Sequence, residues 1–326
     1  MIKRFTVLLC CLLAPGLAQA VSVADYPYLG AIVDRLVAQH GLNRQDLIHT
    51  FDKVTLRPEV VAAMKRPAER LPWYRYRPIF VNPGQVRNGV RFWSDNEKVL
   101  ARAARDTGVP PQIIVAVIGI ETRYGTSLGS HPVLDSLTTL TVEYPRRRKF
   151  FGKQLEQFLL LTHEQSLDRF SIMGSYAGAF GIPQFMPSSY REYAVDYSGD
   201  GKADLVNETA DAIGSVANYL KQAKWQPGQP VCIRVRPKVK PAPALLDGAH
   251  KLKTTVGRLR ASGYDIDASI GDDMKAGVIA LDEEKGSSYW VVFENFYVIT
   301  RYNPSVEYAM AVHELSTTLK REYRGS

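Results

Sequence analysis

Between Val109 and Gly125 the chain carries eight apolar or glycine residues in a row, Ile113 to Ile120. Pro110-Pro111 stand in front of them and Glu121-Thr122-Arg123-Tyr124-Gly125 behind. Proline near the first helical position and glycine past the last predict a short helix. Apolar residues on every side predict burial all round, and the run is far too short to span a bilayer. Elsewhere the helical pattern is one-sided. Leu29, Ile32, Val33, Leu36 and Val37 share a face over Tyr26 to His40, with Gly41 as the stop; Asn43, three before Asp46, caps a second helix through Leu47, Ile48 and Phe51. A third short helix follows Pro58. Helical spacing returns from Arg91 to Thr107, closed by Gly108, and again over Phe151 to Leu161, Ala212 to Leu220 and Val306 to Leu319. Period two appears late. Val231, Ile233 and Val235 alternate with Cys232, Arg234 and Arg236, while Gly277 to Leu281 and Ser288 to Phe293 read as two strands joined through a charged turn at Gly286.

This order predicts an α+β fold, mainly α. The expected organisation is a signal peptide over 1–20, an N-terminal helical unit with a proline-aromatic strap over 21–90, and a helical core over 91–228. A small β-rich domain over 229–294 and a C-terminal helical return over 295–326, packing back on the helical units, complete it. The strap is Lys65 to Asn88, where Pro67, Pro72, Pro78 and Pro83 sit among Trp73, Tyr74, Tyr76 and Phe80, with Arg66, Arg70, Arg75 and Arg77 interleaved. Prolines exclude one long helix, so an extended segment is expected, lining a sugar cleft or tying two domains together.

With 326 residues, 45% apolar and 23% charged, the chain can bury a large core. Lys3 and Arg4, the apolar stretch Phe5 to Leu13 and Ala18-Gln19-Ala20 have the three parts of a secretory signal, with cleavage expected after Ala20. Cys10 and Cys11 raise the alternative of a lipid anchor, but Leu9 and Cys10 stand where a small residue is wanted; a soluble periplasmic protein is favoured. Past the signal only Cys232 remains, so no internal disulfide is available. Of the net charge of +8, Lys3 and Arg4 supply two, which leaves +6 on the mature chain. That suits an anionic polymer or a cell wall; no zinc-finger spacing or long basic block points to nucleic acid. A monomer is expected.

Three stretches carry candidate chemistry. Glu121 lies in the last turn of the apolar helix, where burial and the negative end of the helix dipole both raise a carboxyl pKa. A carboxylic acid still neutral near pH 7 is what protonating a glycosidic oxygen requires; the alternative is a surface pair with Arg123. Ser175 to Tyr190 combines small residues with Ser175, Gln184, Tyr176, Phe185 and Tyr190, suited either to a close-lying sugar or to tight helix packing. In Asp196-Tyr197-Ser198-Gly199-Asp200-Gly201-Lys202-Ala203-Asp204 oxygen-bearing side chains occupy positions one, three, five and nine, with glycine at six and the Lys202 carbonyl at seven, as in an EF-hand loop. Asn207 replaces the usual closing Glu, leaving Glu208 or, better, Asp211; a plain Asx-turn loop is the alternative. The four basic residues Arg146 to Lys149 read first as a solvated face; in a wall-binding enzyme they could instead contact carboxylates of peptide stems. The six histidines are scattered without a metal-binding pair, the serines lack a nucleophile-elbow context, and no phosphate-loop ending occurs.

Ile120 to Gly125, Ser175 to Ser189 and Asp196 to Asp211 running on into Ala212 to Tyr219, together with Tyr144-Pro145-Arg146-Arg147 and Thr300-Arg301-Tyr302-Asn303, resemble the lytic murein transglycosylases of the B type. The resemblance covers nearly the whole mature chain. It implies a lysozyme-like core and cleavage of peptidoglycan glycan strands by one catalytic acid and base, Glu121. Ser175, Gln184, Phe185, Met186, Tyr219, Tyr302, Asn303 and Tyr308 would line the glycan groove, with Arg146 and Arg147 towards the peptide. A structural Ca2+ would sit at Asp196, Ser198, Asp200, Lys202 and Asp211; no organic cofactor is implied, and wall-synthesis complexes are possible partners. The loop from Asp196 to Asp211 is one residue longer than the family's usual spacing, which leaves the last ligand open.

Overall fold

A computed structural model describes residues 21–65, 71–238, 241, 243–246 and 251–325. The expected signal segment, the Arg66 to Arg70 part of the strap and part of the Pro237 to Pro243 spacer lie outside them. The chain opens with α1 (Pro27–His40), α2 (Arg44–Asp52) and α3 (Pro58–Lys65). Leu29, Ile32, Val33 and Leu36 are buried on one face of α1, Gly41 stops it at φ 68°, and the Asn43 side chain accepts the Asp46 amide at 3.1 Å.

The strap is not extended. It folds as α4 (Trp73–Phe80) and α5 (Pro83–Asp95). Three of its prolines sit where the missing N–H costs little or where the helix is already ending: Pro72 is the N-cap of α4, Pro78 lies in its last turn and Pro83 opens α5. Asn82 joins the two helices. Its amide donates to the Pro78 and Ile79 carbonyls at 3.1 and 3.2 Å while its oxygen accepts the Gln85 N–H at 3.0 Å. Nor does one helix run through Arg91 to Thr107; α6 (Glu97–Thr107) starts afresh after Asn96, whose side chain bonds back to the Phe92 carbonyl.

The apolar run forms α7 (Pro111–Thr122), with Ile113 to Ile120 all buried. A two-residue strand β1 (His131–Pro132) leads into α8 (Val133–Glu143) and α9 (Arg148–Glu164). Arg148 donates to the Thr141 and Val142 carbonyls, satisfying the end of α8. Then come β2 (Met173–Gly174), antiparallel to β1, followed by α10 (Pro187–Tyr193) and α11 (Thr209–Gln222). The late strands are β3 (Cys232–Val235), β4 (Thr254–Thr255), β5 (Lys275–Asp282) and β6 (Ser287–Val292), with α12 (Val256–Ala261) between β4 and β5; the sheet order is β3-β6-β5-β4, all antiparallel. The chain closes with α13 (Glu294–Tyr302) and α14 (Val306–Gly325).

Packing groups these elements into cores that cut across their linear order. One core joins α4 to α7 with α11, α13 and α14; a second joins α1 to α3 with α8, α9, α10, Phe180, Phe185 and Leu205. Tyr219 and Tyr302 pack against both, so they mark the seam. The sheet has two apolar faces. Cys232, Ile279, Leu281 and Val292 join the first helical core, while Val235, Ala276, Val278, Val291 and Phe293 form a core of their own. Period-two alternation with both faces buried is what joins the sheet to the helices.

Asn295, fully buried in the first turn of α13, holds the approach to the sheet. Its amide accepts the Gln226 N–H at 2.7 Å and donates to the Gln226 and Gln229 carbonyls at 2.8 and 2.9 Å. Asn295→Ala strands these three backbone groups and should lower unfolding stability by about 1–3 kcal/mol, read by urea denaturation.

Candidate active site

α7 ends before the expected glycine. Arg123 takes φ 50° and ψ 50°, Tyr124 φ 63° and Gly125 φ 83°, so three successive residues are left-handed and two of them carry side chains. Each such non-glycine residue costs on the order of 1 kcal/mol and persists only where the surroundings enforce it. Here they do. The Arg123 and Tyr124 amides return to the Gly119 and Ile118 carbonyls at 3.0 and 3.4 Å, and the Gly125 amide donates to the Thr122 hydroxyl at 3.0 Å. The Tyr124 ring folds back under the helix, donating its hydroxyl to the Gln85 carbonyl at 2.9 Å. Only glycine admits that ring: a Cβ on Gly119 would stand 2.6 Å from it, and one on Gly89 would stand 2.4 Å from its oxygen.

Glu121 occupies the end so held. It keeps partial contact with solvent while lying deep enough that burial pushes its carboxyl pKa up from 4.5 to about 7. The Tyr308 hydroxyl, 2.6 Å from Glu121 Oε1, donates to it and opposes that rise. Burial is the dominant cause, and the Arg123 and Tyr124 amides take up the Gly119 and Ile118 carbonyls at that helix end. The surface pair with Arg123 does not form: that side chain is exposed, and among the described residues no ion pair joins it to Glu121.

Tyr308 is itself positioned. It stands in the first turn of α14, where its amide donates to the Ser305 hydroxyl at 3.1 Å. The Tyr302 ring lies 6.4 Å from it at 10°, and the Tyr302 hydroxyl donates to the Pro183 carbonyl at 2.5 Å. Phe185 and Tyr219 continue this wall, with ring centroids 5.6 Å apart and Tyr219 4.9 Å from Tyr302; the Tyr219 hydroxyl donates to the Arg301 carbonyl at 2.6 Å. Burial drives the Tyr302 and Tyr308 phenols well above their ordinary pKa, with the Glu121 charge as second cause, so both act as neutral donors.

The structure therefore brings Glu121, Tyr308, Tyr302, Phe185 and Tyr219 to one seam. Gln184, at φ 49°, adjoins them and spends its side-chain amide on the Leu128 and Gly181 carbonyls, both at 3.0 Å; Met186 is the half-buried N-cap of α10. The Ser175 hydroxyl accepts the Ala179 amide at 3.1 Å and shapes its own turn. Asn303 is an exposed C-cap of α13. Arg146 and Arg147 lie exposed between α8 and α9, Arg147 over the Phe150 and Phe151 rings; among the described residues no bond or ring contact ties either to the Glu121 cluster. Two supporting residues, Thr122 and Tyr124, have no role of their own in the sequence pattern, and Tyr76 reads there only as one of the strap aromatics that line a sugar cleft or tie two domains together. The charge of Glu121 is felt at the Tyr76 phenol, whose pKa burial and that charge push to about 12. The adjacency of Thr122 and Tyr124 to Glu121 was the only available signal for them. A cavity of about 600 Å3 lined by Gln226, Gln229, Asp272, Asp273 and Glu294 among others contains none of these groups, so volume alone does not locate the chemistry.

The acidic loop forms a second centre. Carboxylate oxygens of Asp196, Asp200 and Asp211 lie within 4.8 Å of one another. Asp211 is fully buried at the start of α11, where Oδ1 accepts the Tyr197 and Ser198 amides at 2.7 Å each and Oδ2 the Asp204 amide at 2.8 Å. Asp196 accepts the Gly199 and Gly201 amides, which hold its carboxyl below the usual range. The Lys202 amide donates to Asp200, and the Ser198 hydroxyl lies 3.3 Å from Asp196 Oδ1. Asp204, at position nine, spends Oδ1 on the Val206 and Asn207 amides.

A single desolvated carboxylic acid at a helix end, facing an aromatic wall between two helical lobes, defines a lysozyme-like glycan-cleaving scaffold. The family comparison agrees: residues 25–317 match the Transglycosylase SLT domain, and the chain belongs to that family. It is 41% identical over 302 residues, 90% of this chain and 82% of the relative, to the membrane-bound lytic murein transglycosylase B of Escherichia coli (strain K12). Among solved structures it is similar to the soluble lytic transglycosylase SltB1 of Pseudomonas aeruginosa, with 42% identity, a TM-score of 0.87 and 92% and 100% of the two chains covered. It is also similar to the Escherichia coli lytic transglycosylase Slt35 in complex with calcium, with 40% identity, a TM-score of 0.86 and 94% and 96% covered.

Three outcomes are expected. Gly119→Ala should destabilise the fold by about 1–3 kcal/mol through overpacking against Tyr124, measured by chemical denaturation. Because the folded pKa of Glu121 is above its unfolded value, the native state holds a proton that the unfolded chain releases between pH 4.5 and about 7; stability is lost as pH rises through that window. Glu121→Gln should therefore match the wild type near pH 4 and exceed it at pH 8, by at most about 3 kcal/mol. Tyr308→Phe removes the donor that favours the carboxylate, so the upper limb of the pH–rate profile should move up by about one pH unit.

Proposed function

We propose that this chain is a murein lytic transglycosylase that cuts the β-1,4 bond between N-acetylmuramic acid and N-acetylglucosamine, with Glu121 as its only acid and base. The observation that carries this reading is the placement of Glu121 at the end of the buried helix α7, with the Tyr308 hydroxyl 2.6 Å from its carboxyl and burial pushing its pKa up to about 7. Neutral Glu121 gives its proton to the glycosidic oxygen as the bond to muramic C1 breaks. The resulting carboxylate takes the proton from the C6 hydroxyl of the same ring, whose oxygen bonds to C1. A 1,6-anhydro end forms, no water is consumed, and Glu121 is neutral again. One carboxyl suffices because the second half-reaction returns the proton of the first, unlike the two-carboxylate schemes of most glycosidases. Tyr308 steadies the carboxylate between the two halves through its hydrogen bond. Phe185, Tyr219 and Tyr302 offer flat apolar faces for sugar rings, and Ser175, Gln184, Met186 and Asn303 border them. Arg146 and Arg147, unpaired with any acid among the described residues, suit the carboxylates of peptide stems beyond the glycan.

The acidic loop suits a structural Ca2+. Three carboxylate oxygens within 4.8 Å of one another repel unless a cation lies between them, and among the described residues no Lys or Arg pairs with them. Asp196, Ser198, Asp200, the Lys202 carbonyl and Asp211 would hold it. The ion supplies charge neutralisation and loop rigidity, and no step of the reaction passes through it. Export through residues 1–20 places the enzyme at the wall; none of the described helices is long and apolar enough to cross a membrane.

Glu121→Gln should bind glycan and lose at least about 10^3-fold in turnover, measured on purified sacculi; substantial residual activity removes Glu121 from the acid role. Wild-type turnover should fall above pH 7 as the acid ionises. Mass spectrometry of the products decides between anhydro ends and hydrolysis, which adds one water. A calorimetric titration with Ca2+ should give saturable heat in the wild type and none in Asp196→Ala.

A further inference from the structure

A short run of backbone, Gly181 to Gln184, stands between the acidic loop and the catalytic acid and is bonded to both sides. On the loop side the Ile182 amide donates to the Leu205 carbonyl at 2.8 Å. The backbones meet so closely that a Cβ on Gly181, at φ 76°, would lie 2.7 Å from that oxygen. Leu205 follows Asp204, whose amide is held by Asp211 at 2.8 Å, and the Tyr190 hydroxyl locks the same tail by donating to the Ala203 carbonyl at 2.6 Å and accepting the Leu205 amide at 2.9 Å. On the acid side the Thr122 hydroxyl donates to the Ile182 carbonyl at 2.8 Å and accepts the Gly125 amide at 3.0 Å. The next residue, Pro183, offers its carbonyl to Tyr302, which stacks on the Tyr308 that holds Glu121. Thr122 and Leu205 are fully buried, so these bonds are shielded from water.

We propose that Thr122 is a positioning residue for Glu121, and that through Ile182 and Leu205 it couples cation binding in the Asp196–Asp211 loop to the geometry of the catalytic acid. The coupling rests on the calcium reading above; the positioning by Thr122 stands on the bonds themselves. An ion drawing Asp196, Asp200 and Asp211 together tightens the loop tail at Asp204 and Leu205. Leu205 then holds Ile182, and Ile182 holds the helix end between Thr122 and Gly125. The left-handed turn after Glu121 is the compliant part of this path, because two of its residues relax to ordinary helical or extended backbone if the Thr122 hydroxyl lets go. Asp211 and Tyr219 share α11, so the same ion also steadies one ring of the aromatic wall.

Hydrogen exchange on the whole protein, with and without Ca2+, tests the path in two peptides: 179–186, which contains the Ile182 amide, and 118–128, which contains the Gly125 amide. In the wild type Ca2+ should slow exchange in both by at least about five-fold, the low end of usual coupling free energies. In Thr122→Val the slowing should persist in 179–186 and vanish in 118–128, while Thr122→Ser should behave as wild type. Chelating Ca2+ should lower kcat with little change in KM for wild type and Thr122→Ser, and should leave Thr122→Val at its already reduced kcat. Saturable Ca2+ heat without any change in 118–128 would overturn the coupling and leave the calcium site standing. Absence of Ca2+ heat would overturn the calcium reading and the coupling together. Slowing of 118–128 that survives in Thr122→Val would overturn the role of Thr122 alone, and that outcome is legible only if the variant melts as one cooperative transition, for which Thr122→Ser is the control.

Discussion

The contact between the Tyr308 hydroxyl and Glu121 is where the demands of folding and of chemistry meet. An ionisable group in the last turn of a helix whose other faces are wholly apolar would, left to itself, be driven neutral by burial. One donated hydrogen bond keeps the carboxylate attainable while burial keeps the acid available. The rest of the site serves to hold that pair still. Ser305 caps the helix that carries Tyr308, Tyr302 stacks behind it, and the Tyr302 hydroxyl reaches across the seam to the backbone of the loop at Pro183.

The seam explains why so much polar machinery gathers here. Two helical cores meet along Tyr219 and Tyr302, and the backbone that crosses between them runs through Gly181 to Phe185. Backbone leaving regular structure must find partners for its own amides and carbonyls, and it finds them in Thr122, Leu205, Tyr302 and the Gln184 side-chain amide. The acidic loop, Tyr197 and α6 form a third side of this frame. The Tyr197 ring sits between Arg102 and α11, where Gly214 leaves room for it, and its hydroxyl bonds to Asp106. Two left-handed residues that carry side chains, Arg123 and Tyr124, follow one another in the turn after Glu121, and the glycines at 89 and 119 permit that turn by admitting Tyr124 beneath the helix.

Local pattern was a good guide wherever one chemical preference dominated. The buried face of α1, the Asn43 cap, the apolar α7 and the β5–β6 hairpin all follow from periodicity and turn residues, which act over a few neighbours. Pattern failed where two preferences competed. Four prolines suggested extension between Lys65 and Asn88, yet prolines at helix starts and in a last turn are compatible with helix, and Trp73, Tyr76 and Phe80 found a core to enter. The glycine at 125 suggested where α7 stops, but the ring of Tyr124 ends it two residues sooner. Tyr308 carried no local mark of its partnership with Glu121, 187 positions away; only resemblance to other chains pointed to it.

What the amino-acid order determined alone was the inventory: a carboxylate closing an apolar helix, oxygen-rich positions in a tight loop, aromatic residues near both, and the period of α1, α2, α7, α9, α11 and α14 and of strands β3, β5 and β6. Those are short-range matters of side-chain size, charge and backbone preference. The pKa of the acid, the left-handed turn beside it, the conversion of a strap into two helices and the bond path from loop to acid came only with tertiary structure. Each depends on what lies opposite in space, and desolvation, close packing and hydrogen bonding across hundreds of residues have no signature in any single stretch of chain.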